Sequence, residues 1–208
     1  MILKQEHTSS TREQAPVGTH LARCYQLIDL GTHEEEFQGV KKRARKIRIG
    51  WELCHEHLSE GKFAGEPFHV GKTYTASLHE KSGLRKVLRS WRGRDFTEQE
   101  LAGFDMRNIL GAHCMICLVS NDKGYTNVDS VMKAAKGMPI PDPHNAIQYF
   151  SLDDFDQSVF DTLPGWIKEE IQKSDEWQAI QDHDDDVPAV IAPAAIRGAD
   201  DLGDEIPF

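Results

Sequence analysis

A chain of 208 residues holds one ordinary domain with appendages, and two full domains would be tight. The net charge of −10 argues at first against nucleic acid, and no apolar run is long enough to suggest a membrane span. Four cysteines without a secretory leader point to free thiols in a reducing cytoplasm.

The charge is divided along the chain. From Ser151 onward 16 acidic residues stand against 3 basic ones, whereas residues 1–150 carry 18 acids and 21 bases. A mildly basic body is followed by a strongly acidic end. Residues 1–17 are polar and without period, which predicts a flexible arm. From Thr19 to Leu30, Leu21, Arg23, Tyr25 and Leu27 alternate with Ala22, Cys24, Gln26 and Ile28, a strand with both faces partly covered. Gly31 and the run Glu34 to Glu36 predict a loop.

Lys41 to Leu53 is the second predicted strand. Arg45, Ile47, Ile49, Trp51 and Leu53 share one parity, and Lys42, Lys46, Arg48 and Glu52 share the other around Gly50. Six of the eight positions from Lys41 to Arg48 are basic, a density that suits phosphate contact. After a polar loop, Phe68 to Leu78 alternates again, with Lys72 and Tyr74 on its apolar parity.

The period then changes. Leu84, Val87, Leu88 and Trp91 mark a helix whose other face shows Arg85, Lys86, Arg89 and Arg92, and Gly93 ends it. Thr97 and Glu100 form a capping box for a second short helix, and Asp105 to Leu110 predicts a further turn. His113 to Ser120 and Tyr125 to Met132 flank the turn-forming Asn121, Asp122, Lys123 and Gly124, a hairpin signal. Three strands, a helical insert and two strands is the order of an OB-fold, a five-stranded, partly open Greek-key barrel used widely for single-stranded nucleic acid. The expected fold is thus mainly β with helical insertions, with an OB-fold domain over residues 18–138.

Residues 139–180 predict a Pro-rich connector and a helical segment packing on the barrel. Pro139, Pro141 and Pro143 stiffen its start, Ser151 is placed to cap a helix containing Phe155, Val159 and Phe160, and Pro164 opens another with Trp166, Ile167 and Ile171 on one side. Residues 181–208 are acidic, rich in Ala and Pro, and expected to be disordered.

Cys114 and Cys117 form a CxxC beside His113, but Met115 and Ile116 between them suit a strand, so no metal and no cofactor are expected. No phosphate-binding loop, nucleophile elbow or HExxH motif is present. A strand-coating protein needs a basic groove with aromatic platforms. Lys42, Lys46, Arg48, Lys72, Arg85, Arg89 and Lys123 are the candidate phosphate contacts, and Trp51, Tyr74 and Tyr125 the candidate stacking rings. Trp51 shares its parity with Ile47 and Ile49, which leaves core and stacking roles both open.

The last nine residues include Asp200, Asp201, Asp204, Glu205, Ile206, Pro207 and Phe208. A terminal aromatic among carboxylates makes poor core, because its charged neighbours cannot follow it inside. This tip resembles that of single-stranded DNA-binding proteins of bacteria and their phages, which ends in acids followed by Ile-Pro-Phe. The body, from Ala22 to Gly31 and from Ser77 to Gly93, is similar to the phage-encoded members with an OB-fold. The resemblance implies a non-catalytic protein of the bacterial host cytoplasm. It would bind and protect single-stranded DNA during replication, recombination and repair, and recruit partner enzymes through the tip. Homo-oligomers occur in the family, but the body departs from the bacterial tetramer's sequence. A helical segment and a short Ala-Pro stretch replace the long Gly- and Gln-rich linker. The rival classes are a protein-interaction adaptor without DNA binding and a small metal-dependent nuclease.

Overall fold

The computed structural model describes residues 13–37 and 39–185. Along them run strands β1 (Gly18–Phe37), β2 (Val40–His57) and β3 (Pro67–Thr75), then helices α1 (Gly83–Arg92) and α2 (Glu98–Ala102) and a 3-10 turn at Met106–Ile109. The hairpin of β4 (His113–Ser120) and β5 (Thr126–Lys133) follows, then β6 (Gln148–Phe150), α3 (Gln157–Thr162), α4 (Gly165–Ile171) and α5 (Asp175–Asp185).

The chain is mainly β. Its strands form one open sheet in the order β3-β2-β1-β4-β5, antiparallel throughout, with β6 added parallel to β1. The ends of the path, β3 and β5, lie side by side without a ladder, and Lys72 Nζ crosses the gap to donate to Val128 O at 2.8 Å. Closure of the sheet into a barrel, expected from the strand order, is therefore not completed by backbone hydrogen bonds.

The alternation along β2 sends Ile47, Ile49, Trp51 and Leu53 into the interior. There they meet Leu84, Leu88 and Trp91 of α1 and Ile116 and Leu118 of β4. Ser82, not singled out in the sequence, caps α1 by accepting from the Arg85 amide, and Gly93 ends it in the left-handed region at φ +69°, as the sequence predicts. The Thr97–Glu100 capping box is also formed. Ser151 does not cap α3; Asp156 does, accepting from the amides of Ser158 and Val159.

A register shift at Cys24/Gln26 changes which parity of β1 faces inward. Ala22, Cys24 and Leu27 belong to the first core, whereas Ile28 and Leu30 belong to a second one. The second core holds Phe150, Phe160, Ile167 and Ile171, with Phe160 stacked on Trp177 at 4.6 Å. Residues 139–180 thus contribute more than a docked helical segment, because β6 extends the sheet itself. It does so on the edge of β1 that β4 leaves free beyond Arg23. Gly31 admits α5: at φ +81°, a Cβ there would lie 2.3 Å from the Ser174 Cβ.

Further sequence expectations are corrected: residues 181–185, expected to be disordered, are the last turn of α5, and the rest of that stretch lies outside the described residues. The run Glu34 to Glu36 is strand, not loop, and stands opposite Arg43, Lys42 and Lys41 in register. Arm residues 13–17 are partly tied down: Glu13 accepts from the amide and hydroxyl of Ser59, and the Thr126 hydroxyl donates to Ala15 O. The terminal tip, Asp200 to Phe208, lies outside the described residues.

Candidate nucleic-acid interface

The basic stretch of β2 is largely answered by acids. Lys41 pairs with Glu34 at 2.7 Å and Lys46 with Glu35 at 2.6 Å, and Arg43 meets Asp175 of α5. Lys46 also donates to Thr75 Oγ1, and Arg45 is held by Asp29 and Asp153. Antiparallel pairing causes this, since the acids just before the β1–β2 turn must face the bases just after it. Lys42 is exposed, opposite Glu35.

Arg48 behaves differently. Every other arginine among the described residues has a carboxylate partner, and Arg48 has none. Its Nε is buried without a hydrogen-bond acceptor, and burial lowers its pKa below the ordinary guanidinium value. Its guanidinium rests on the glycine of the neighbouring strand, where a Gly71 Cβ would lie 2.5 Å from Nη2, and carries the indole of Trp166 at 4.7 Å. Trp166 is 55% exposed.

Arg48 and Trp166 stand in a cleft of about 530 Å³ across the outer face of β2 and β3. Gln26, His69, Gly71 and Val128 also line it, as do the arm residues Gln14 and Ala15. The volume lies in the range of small-ligand sites. His69 Nδ1 is 2.7 Å from the Tyr25 hydroxyl, which holds the imidazole in place.

The other expected residues are scattered. Trp51 is 0% exposed, inside the first core with its ring centre 6.0 Å from that of Trp91, and offers no face to a base. Tyr74 is 7% exposed in the same core, and burial raises its phenol pKa well above the ordinary value. Stacking roles for these two rings are therefore corrected to core roles. Tyr125 is 58% exposed and Lys123 exposed, both at the β4–β5 turn. Lys72 is engaged by Val128 O, and its Nζ lies 5.8 Å from the Tyr74 ring centre. On α1, Arg85 and Arg89 share Asp95, at 3.4 and 3.8 Å.

Of the candidate phosphate contacts and stacking rings, Arg48 alone lines the cleft, while Lys72 and Tyr125 are chain neighbours of the lining residues Gly71 and Thr126. Gln26, His69 and Trp166 were missed. Trp166, read from the sequence as sharing the apolar side of its helix with Ile167 and Ile171, is exposed instead: the two isoleucines are four apart and buried, and the residue before Ile167 is turned off that stripe.

Cys114 and Cys117 are free thiols on β4, where strand alternation sends them to opposite faces. Among the described residues no group of three or more His, Cys, Asp and Glu is placed to hold a metal ion. Compared with known protein families and with curated proteins, the chain matches no family model and no curated protein. No described helix is long and apolar enough to cross a membrane.

Proposed function

We propose that this chain is a non-catalytic single-stranded DNA-binding protein of the OB type, which coats strands without reading a defined sequence. The strand order, with helices inserted between β3 and β4 and with β3 beside β5, supports the OB assignment. The observation that carries the function is Arg48: a partly desolvated cation without a counter-ion, in a cleft, beside an exposed indole. An unneutralised cation next to an open ring is what a flexible polyanion with stackable bases needs. Tyr125 and Lys123 at the β4–β5 turn and the exposed Lys42 of β2 extend the interface. The acidic tip, through Asp200, Asp201, Asp204, Glu205, Ile206, Pro207 and Phe208, recruits replication, recombination or repair enzymes.

Titration of the full chain with deoxythymidine oligomers tests this. Tryptophan quenching that grows with oligomer length supports coating. Absence of binding would leave an adaptor, and shortening of the oligomer in Mg²⁺ would leave a nuclease.

A further inference from the structure

The polarity of the cleft floor is set by a chain of hydrogen bonds that ends in an unused acceptor. The Thr162 hydroxyl donates to Val159 O at 2.6 Å, so its oxygen accepts from Gln148 Nε2 at 3.1 Å. Gln148 therefore presents Oε1 to Gln26 Nε2, at 2.6 Å. Gln26 is left with Oε1 as its free end, and that oxygen is buried without a partner in a residue only 5% exposed. It lies over Gly50 beside His69, where a Cβ at position 50 would come within 2.8 Å of both side chains. On the same outer face of β2, two residues away, Arg48 Nε is a buried donor, also without a partner.

A phosphate suits Arg48 but not Gln26 Oε1, because two acceptors repel. A nucleobase edge suits both, since the Watson–Crick edge of each base carries a donor next to an acceptor. We propose that the Gln26–Arg48–Trp166 corner is a slot for one nucleobase, with its donor on Gln26 Oε1, its acceptor on Arg48 Nε and its ring against Trp166. This rests on the strand-binding reading above and assigns the cleft to a base rather than to the backbone. The indole lies over the guanidinium, so entry to Arg48 turns it aside, a fast side-chain rotation at a helix start. The indole then closes on the base, and each orphan gains the partner it lacks.

The test compares three labelled oligomers of one length and charge: deoxythymidine, N3-methyl-deoxythymidine, which has lost the base donor, and an abasic strand. Deoxythymidine should bind the full-length protein roughly 5- to 150-fold more tightly than the N3-methyl oligomer, the equivalent of about 1–3 kcal/mol for one unsatisfied buried acceptor. Trp166→Ala should lower deoxythymidine affinity and leave abasic affinity unchanged, and Trp166→Phe should keep most of the binding. Equal affinity for deoxythymidine and its N3-methyl form would overturn the Gln26 contact. An equal loss on both deoxythymidine and abasic strands in Trp166→Ala would overturn the slot and leave coating standing. Failure of the unaltered protein to bind any of the three would overturn the coating reading itself, and the slot with it.

Discussion

Arg23 and Glu52 face each other across the β1–β2 ladder, Nε to Oε1 at 2.6 Å, with both side chains buried. The free oxygen of Glu52 accepts from the backbone amide and side-chain amide of Asn145 at 2.8 and 2.6 Å, and Arg23 donates to Asn145 O. A buried ion pair thereby fixes the segment that leads into β6, and with it the elements that bring Gln148 to Gln26 and Trp166 into the cleft.

Glu52→Gln keeps the shape and removes the charge, which leaves Arg23 buried and uncompensated. It should lower stability by about 3–5 kcal/mol, measured by denaturant unfolding. Burial raises the Glu52 pKa, but hydrogen bonds from Arg23 and Asn145 outweigh it, so the carboxyl titrates below its ordinary value of 4.5. The unfolded state therefore binds more protons. The contribution of Glu52 is complete above that value and is lost as pH falls through the lower, folded pKa. The variant should show a flatter acid limb than the parent.

Tyr125 and Tyr74 should separate cleanly. Tyr125→Ala removes an exposed ring and should weaken single-strand binding by about 1–3 kcal/mol with the melting temperature little changed. Tyr74→Ala opens a cavity in the first core and should cost about 3–5 kcal/mol of stability. Paired melting and binding curves check both. A thermally silent Tyr74→Ala would place that ring outside the core.

Salt dependence should report the neutralised ribbon. Lys123→Ala should flatten the slope of log affinity against log salt by about 0.7, the value for one phosphate contact on a single strand. Lys46 is already held by Glu35, so Glu35→Gln should release it, strengthening binding at low salt and steepening the slope. A slope unmoved by Glu35→Gln would put Lys46 off the strand path.

The acidic end should compete with DNA. Residues 186–208 carry Asp186, Asp200, Asp201, Asp204 and Glu205 against Arg197 alone, tethered to a body whose exposed cations a strand needs. Their removal should strengthen single-strand binding, most at low salt, whereas loss of Phe208 alone should leave DNA affinity unchanged and abolish docking of a partner enzyme. Full-length, truncated and Phe208-less proteins at two salt concentrations provide the comparison. Equal low-salt affinity of the first two would remove the competition.

Local physics made much of the fold legible. Periods of two and of 3.6 located all five main strands and α1, because one buried face suffices to set them. Gly93 placed the end of α1, and the Thr97–Glu100 capping box placed the start of α2. The division of charge was visible by counting, as was the inward parity of Ile47, Ile49 and Leu53.

What the sequence alone left open depends on residues that meet only after folding. The basic run looked free because its partners, Glu34 to Glu36, read as loop, and only the antiparallel register sets them opposite Arg43, Lys42 and Lys41. The shift at Cys24/Gln26 gave β1 two cores, which no alternation count distinguishes from one. Arg48 became distinctive through what surrounds it: no carboxylate, a glycine beneath it, and an indole delivered by a helix far along the chain. Composition determines how many cations exist, but tertiary contacts decide which of them remain unneutralised, because ion pairing falls off steeply with distance.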